Sequence, residues 1–150
     1  MSIKKKIVFG CLFVLVGIQF IPTTRNQNSN VLPTDFMNTF NVPIEFRQMI
    51  KTSCYDCHSN NTKYPWYNKF QPVSWLLENH IKEAKAELNF SEFGEYSKRR
   101  QRSKLKSIIN QIKEDEMPLF AYKLMHPKAK ISEEGKSELL EWLSSLRESL

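Results

Sequence analysis

Glycine and proline are scarce, at four and seven of 150 residues. That excludes collagen-like and Gly/Pro-rich low-complexity architectures. Cysteine is scarcer still, and three are too few for a disulfide scaffold. Acidic residues are missing from residues 1–25, which hold Lys4, Lys5, Lys6 and Arg25. The net charge of +6 is therefore lopsided, and residues 26–150 carry 18 bases (22 less these four) against 16 acids. A remainder so near neutral gives no ground for a nucleic-acid partner. Nor does any apolar run reach the about 20 residues that a full membrane span wants.

What is present suits one globular domain. Hydrophobic residues at 41% and charged residues at 25% exclude wholesale disorder. Ten Phe, five Tyr and three Trp can line an apolar cavity as well as a core. Lys4-Lys5-Lys6 precedes an apolar run from Ile7 to Ile21, the start of a secretory signal. No small-x-small cleavage site follows, so an uncleaved short anchor stays open, with the lysines on the cytoplasmic side. Acylation at Cys11 and a buried N-terminal helix are the other readings. The segment is read as a signal or anchor over 1–22, which places the remainder on the periplasmic side of a bacterial inner membrane.

Residues 23–34 begin with the polar stretch TTRNQNSN and read as a linker. The domain then runs over 35–150. Asn41 is a candidate cap for a helix reaching Thr52, and Pro72 opens a second helix to Leu88. On that helix Val73, Leu76, Leu77, Ile81, Ala84 and Leu88 share a side. Ser97 caps a third helix with Leu105, Ile108, Ile109 and Ile112 as its apolar stripe. Met117-Pro118 ends it, a loop runs to Ile131, and Ser132 caps a last helix with Glu133 and Glu134 in its first turn. The expected fold is all-α, about four helices behind the N-terminal leader.

Cys54-Tyr55-Asp56-Cys57-His58 is a C-x-x-C-H run. Two thiols three apart on a helical turn can bond the two vinyl groups of one haem, and the next residue then offers imidazole to the iron. Rival readings are a thioredoxin-like dithiol, which lacks its βαβ context here, and a strained Cys54–Cys57 disulfide. A zinc site of Cys54, Cys57 and two of His58, His80 and His126 is a third, though no second close pair exists. Covalent haem attachment takes place outside the cytoplasm, so export favours haem.

A six-coordinate electron carrier needs a second axial ligand. Met117 is the first candidate and His80, on the second helix, the alternative. Met125 and His126 are weaker ones, and an open iron is a further state. The other ring N–H of His58 should meet a carbonyl, with the 64–72 loop as the expected source. Tyr64, Trp66, Tyr67, Phe70 and Trp75 are expected to wall the haem. The basic face of the third helix can dock an acidic partner.

The stretches CYDCHSNNTKYPWY, QPVSWLLENHIKEAKAELNFSEF and EMPLFAYKLMHPKAKIS together resemble the small haem-binding domain family of bacterial envelope proteins. The resemblance covers about residues 35–147. It implies that Cys54 and Cys57 hold haem c, that His58 binds iron, that Met117 is the distal ligand and that His80 is a second marked position. Lys82-Glu83-Ala84-Lys85 departs from the Glu-Gly-Arg expected in relatives, on what reads as a helix surface away from the haem. The order of haem motif, late Met loop and closing helix resembles the small class I cytochromes c. The reading is a monohaem carrier of single electrons between envelope redox proteins rather than an enzyme. The competing function is a five-coordinate haem sensor or peroxide-reducing domain.

Overall fold

The computed structural model describes residues 2–28 and 30–150. Among these no strand forms, and the fold is all-helical. The first elements are α1 (Ile3–Gly17), a 3-10 turn at Ile18–Phe20, α2 (Phe36–Thr39) and α3 (Ile44–Ile50). A π-helical stretch (Lys51–Tyr55) joins α3 directly to α4 (Asp56–His58). Then come a 3-10 turn at Trp66–Lys69, α5 (Val73–Glu87), a 3-10 stretch at Phe90–Glu95 and α6 (Lys98–Lys113). The chain closes with α7 (Phe120–Met125), a 3-10 turn at Pro127–Ala129 and α8 (Glu133–Ser149).

The serine caps act as their sequence context demands. Ser97 Oγ accepts from the Arg100 amide at 3.4 Å, and Ser132 Oγ from the Gly135 amide at 3.2 Å. Asn41 caps nothing: α3 starts after Pro43, with no side-chain cap. Two short helices were not expected. The Asp35 carboxylate caps α2 through the Met37 amide at 2.9 Å, and α7 occupies part of the stretch expected as loop.

The core is aromatic at its centre. Phe36, fully buried, meets Phe40, Phe90, Phe93 and Trp142 edge-on at centroid distances of 5.1, 5.2, 5.0 and 6.2 Å. Leu105 and Ile112 of α6 pack with Leu139 and Leu143 of α8 in the same cluster. Phe36→Ala should cost about 3–5 kcal/mol of unfolding free energy, since four rings would line the void. Denaturant melts of the haem-free chain would measure it. A loss below about 1 kcal/mol would mean that the pocket collapses around the smaller side chain.

The segment read as a linker lies along the domain. Asn26 Nδ2 donates to the Ser59 carbonyl at 2.8 Å and to Thr62 Oγ1 at 2.9 Å, and Lys85 Nζ donates to Asn26 Oδ1 at 2.6 Å. The Thr62 amide donates to the Asn26 carbonyl (2.9 Å), the Asn28 amide to the Asn60 carbonyl (3.0 Å), and Gln27 bridges Asn61. A polar composition reads as a spacer, but every bond here is made with backbone or amide groups, for which composition carries no signal. α1 carries Lys4-Lys5-Lys6 in its first turn, is apolar from Ile7, and is exposed along its length. No described helix is long and apolar enough to cross a membrane.

Candidate haem site

α3, the π-helical stretch and α4 run without a break from Ile44 to His58, and the Cys54–His58 turn ends that rod. π-helical turns concentrate at functional sites because the wider turn re-aims side chains. The two intervening residues pin the turn. Tyr55 Oη donates to Asp35 Oδ1 at 2.9 Å, and its ring stacks on Phe90 with centroids 5.2 Å apart. Asp56 Oδ2 accepts from Tyr122 Oη at 2.7 Å, while Oδ1 accepts from the Lys63 amide at 3.2 Å. Ser53 Oγ, buried, donates to the Ala129 carbonyl at 3.0 Å.

His58 is held by the end of α5. Its Nδ1 lies 3.0 Å from the Ala84 carbonyl and 3.1 Å from the Leu88 carbonyl. Both partners can only accept, so Nδ1 carries the proton and Nε2 keeps its lone pair. These carbonyls belong to the last turn of α5 and its C-cap; that of Ala84 also accepts from the Leu88 amide at 2.9 Å, so it is shared with His58, while Leu88 lies past the end of the helix. Burial lowers the His58 pKa, outweighing the two carbonyls that raise it, so the imidazole is neutral at pH 7. A neutral, oriented imidazole is what iron ligation requires.

This geometry corrects two expectations. The acceptor comes from α5 rather than from the 64–72 loop. The Lys82–Lys85 departure is not remote from the site either, because the Ala84 carbonyl orients His58 and Glu83 and Ala84 line the adjoining cavity.

That cavity, about 420 Å³, lies between the Cys54–His58 turn, α5 and α6. Its size falls in the range of small-molecule and cofactor sites. Cys54, His58, His80 and Met117 all line it, with Leu88, Phe90, Ile108, Ile112 and Leu119 as apolar wall. His80 is exposed and Met117 half-buried. Lys104 Nζ and Glu87 Oε2, also in the lining, approach to 3.7 Å.

Other expected residues lie elsewhere. Cys57 is half-buried beside Asp56 and does not line the cavity. Tyr64, Trp66 and Trp75 do not line it, nor do Tyr67 and Phe70. Tyr64 Oη donates to Glu78 Oε2 at 2.8 Å and accepts from the Asn26 amide at 2.7 Å. Trp66 is 70% exposed. Met125 is exposed, while His126 Nε2 bonds Tyr67 Oη at 2.9 Å and its ring stacks on Tyr122. The aromatic ring in the cavity lining is Phe90, which no local pattern marks. Tyr55, Asp56 and Tyr122 also went unmarked, because the residues between two motif cysteines look like filler until their partners are seen.

Cys54 and Cys57 are free thiols. Burial pushes Cys54 up to about 12 and Cys57 up to about 11, the second helped by the neighbouring Asp56 carboxylate. Against an ordinary 9.0, the thiolate fraction at pH 8 falls roughly thousandfold and roughly hundredfold. In the haem-free native chain, maleimide should therefore label both far more slowly than in denatured chain. Equal rates in the two states would contradict this protected geometry. Among the described residues no three His, Cys, Asp or Glu gather to hold a metal, so a zinc site has no ligand set.

The residues fit a haem on three counts: an apolar cavity of adequate size, a proximal imidazole with Nδ1 fixed, and a reduced thiol in the lining. No curated protein matches this chain. No solved structure matches it either. A family model described as haem-binding domain matches residues 13–145, and the chain belongs to that haem-binding domain family.

Proposed function

We propose that the chain binds one haem c through Cys54 and Cys57, ligates its iron with His58 and Met117, and carries single electrons between envelope redox proteins. The N-terminal segment would hold it at the periplasmic face of the inner membrane. The observation that carries the reading is His58, its Nδ1 fixed by two carbonyls and its Nε2 free beside a cavity shared with Cys54 and Met117.

The haem supplies one-electron chemistry at iron. The chain supplies everything else. Cys54 and Cys57 would hold the haem by addition of each thiol S–H across one vinyl group, which forms a C–S and a C–H bond and needs no oxidant. Met117 offers a thioether to the same cavity, and a thioether ligand with apolar surroundings raises the potential. Phe90, Ile108 and Ile112 give that cavity apolar wall, which would keep water from a bound haem. The order of haem motif, late Met and closing helix supports a class I cytochrome c-like arrangement.

Potentiometric titration of the haem-loaded full chain tests the electron-carrier reading. One reversible one-electron transition, with no carbon monoxide adduct of the reduced protein, is expected. A ready adduct without reversible cycling would overturn it in favour of a five-coordinate sensor or peroxide-reducing domain.

A further inference from the structure

The apolar N-terminal helix joins the domain without a spacer. α1 ends at Gly17, and Gln19 already bonds the domain. Its Oε1 accepts from the Gln71 amide at 2.9 Å and its Nε2 donates to the Gln71 carbonyl at 3.1 Å. Gln71 Nε2 donates back to the Ile21 carbonyl at 3.2 Å, and Thr23 Oγ1 meets Ser74 Oγ at 3.0 Å.

Exposed apolar side chains cluster in the segments that meet here. Phe20 is 82% exposed, Trp66 70%, Phe70 55%, Val73 41% and Leu76 60%. The Trp66 and Phe70 rings lie 6.4 Å apart. Large exposed apolar groups together, rather than scattered singly, mark an interaction surface. The charge in these segments has one sign. No acid occurs before Asp35 or between Asp56 and Glu78, while Arg25, Lys63 and Lys69 fall within those stretches. Glu78, at the edge, is half-buried and accepts from Tyr64.

We infer that this face seats on a bilayer carrying anionic headgroups, with its aromatic side chains at the interface and its bases against lipid phosphates. The inference rests on the reading of α1 as inserted in that bilayer. After Lys4-Lys5-Lys6 its apolar part, Ile7 to Gly17, is 11 residues and spans about 16 Å at 1.5 Å per residue, against a hydrocarbon core of about 30 Å. A helix that is too short draws its flanking structure toward lipid. Through Gln19 and Gln71, that flanking structure is the domain itself. The domain is then held in one orientation instead of swinging on a tether. Leu76 lies one turn before His80 on α5, so the docked face reaches the rim of the haem cavity.

The test uses the haem-loaded full chain in vesicles of phosphatidylcholine with phosphatidylglycerol. Variants Phe70→Cys, Leu76→Cys and Ser145→Cys are treated with a charged maleimide, and labelling is resolved site by site by mass spectrometry, with native Cys11 as reporter of α1. Thiols at 70 and 76 are expected to react at least about tenfold more slowly than at 145. Phosphatidylcholine alone, or Lys63→Glu with Lys69→Glu, should restore most of the rate. If 70 and 76 react as fast as 145 while Cys11 stays protected, α1 inserts but the face does not dock, and the inference is overturned alone. If Cys11 also reacts freely, the membrane reading fails and the inference with it. Protection at 70 that is indifferent to lipid charge and comes with cross-linked dimers would assign the face to a second copy, again overturning it.

Discussion

In a Cys54→Ala/Cys57→Ala double variant, haem retained through denaturation falls to background, while the fold persists. Either single variant should keep part of it, because one thioether can still form. The chemistry leaves no substitute: Cys11 is the only other cysteine, and it lies on α1 far along the chain. Stability should change less than haem content, because Cys54 only packs against the outside of the core cluster and Cys57 is not part of it. Far-UV circular dichroism checks the fold, and acid–organic extraction of the haem checks the bond. Full retention in both single variants and in the double variant would end the attachment model.

The proximity of Cys54, Cys57 and His58 was legible because it is local. The three sit within one turn, so spacing alone brings them together. The long helices were legible for a similar reason, since Ser97, Ser132 and the Leu105–Ile112 stripe carry their signals within a few residues. What could not be read depends on groups that meet across the chain. The Ala84 and Leu88 carbonyls that orient His58 lie 26 and 30 residues away and are backbone atoms, which every residue has. Tyr64, Trp66 and Trp75 were expected at the haem because aromatics are versatile. In the structure Tyr64 Oη accepts from the Asn26 amide, and the cavity draws its ring from Phe90, in a 3-10 stretch without periodic signal. The TTRNQNSN stretch reads as a spacer because it holds no apolar residue. Charge and polarity report solvation preference, whereas amide-to-amide bonding is silent in composition.

The second large effect concerns Met117. Its amide donates to the Gln111 carbonyl at 3.1 Å, and Asp115 just before it adopts a left-handed backbone (φ 57°), so α6 ends abruptly and delivers Met117 to the cavity. Met117→Ala removes a half-buried thioether without touching the aromatic core. The expected result is loss of the low-spin, methionine-type spectrum, a high-spin iron that binds carbon monoxide when reduced, and a lower midpoint potential. Covalent haem content should be unchanged, which separates ligation from attachment. His80 is the other lining residue with an imidazole to offer. If Met117→Ala leaves the spectrum intact and His80→Ala abolishes it, the distal role belongs to α5. If Met117→Ala instead produces a bis-histidine spectrum, His80 moves in once the thioether is gone, and the double variant should then be high spin.

The most direct single measurement is an optical spectrum of the full chain, exported alongside a haem c maturation system, before and after denaturation. Haem that stays with the denatured polypeptide, and a low-spin methionine-type spectrum in the native protein, are expected. A native protein that carries no covalent haem, while a control cytochrome matures normally in the same cells, would contradict the attachment of haem at Cys54 and Cys57.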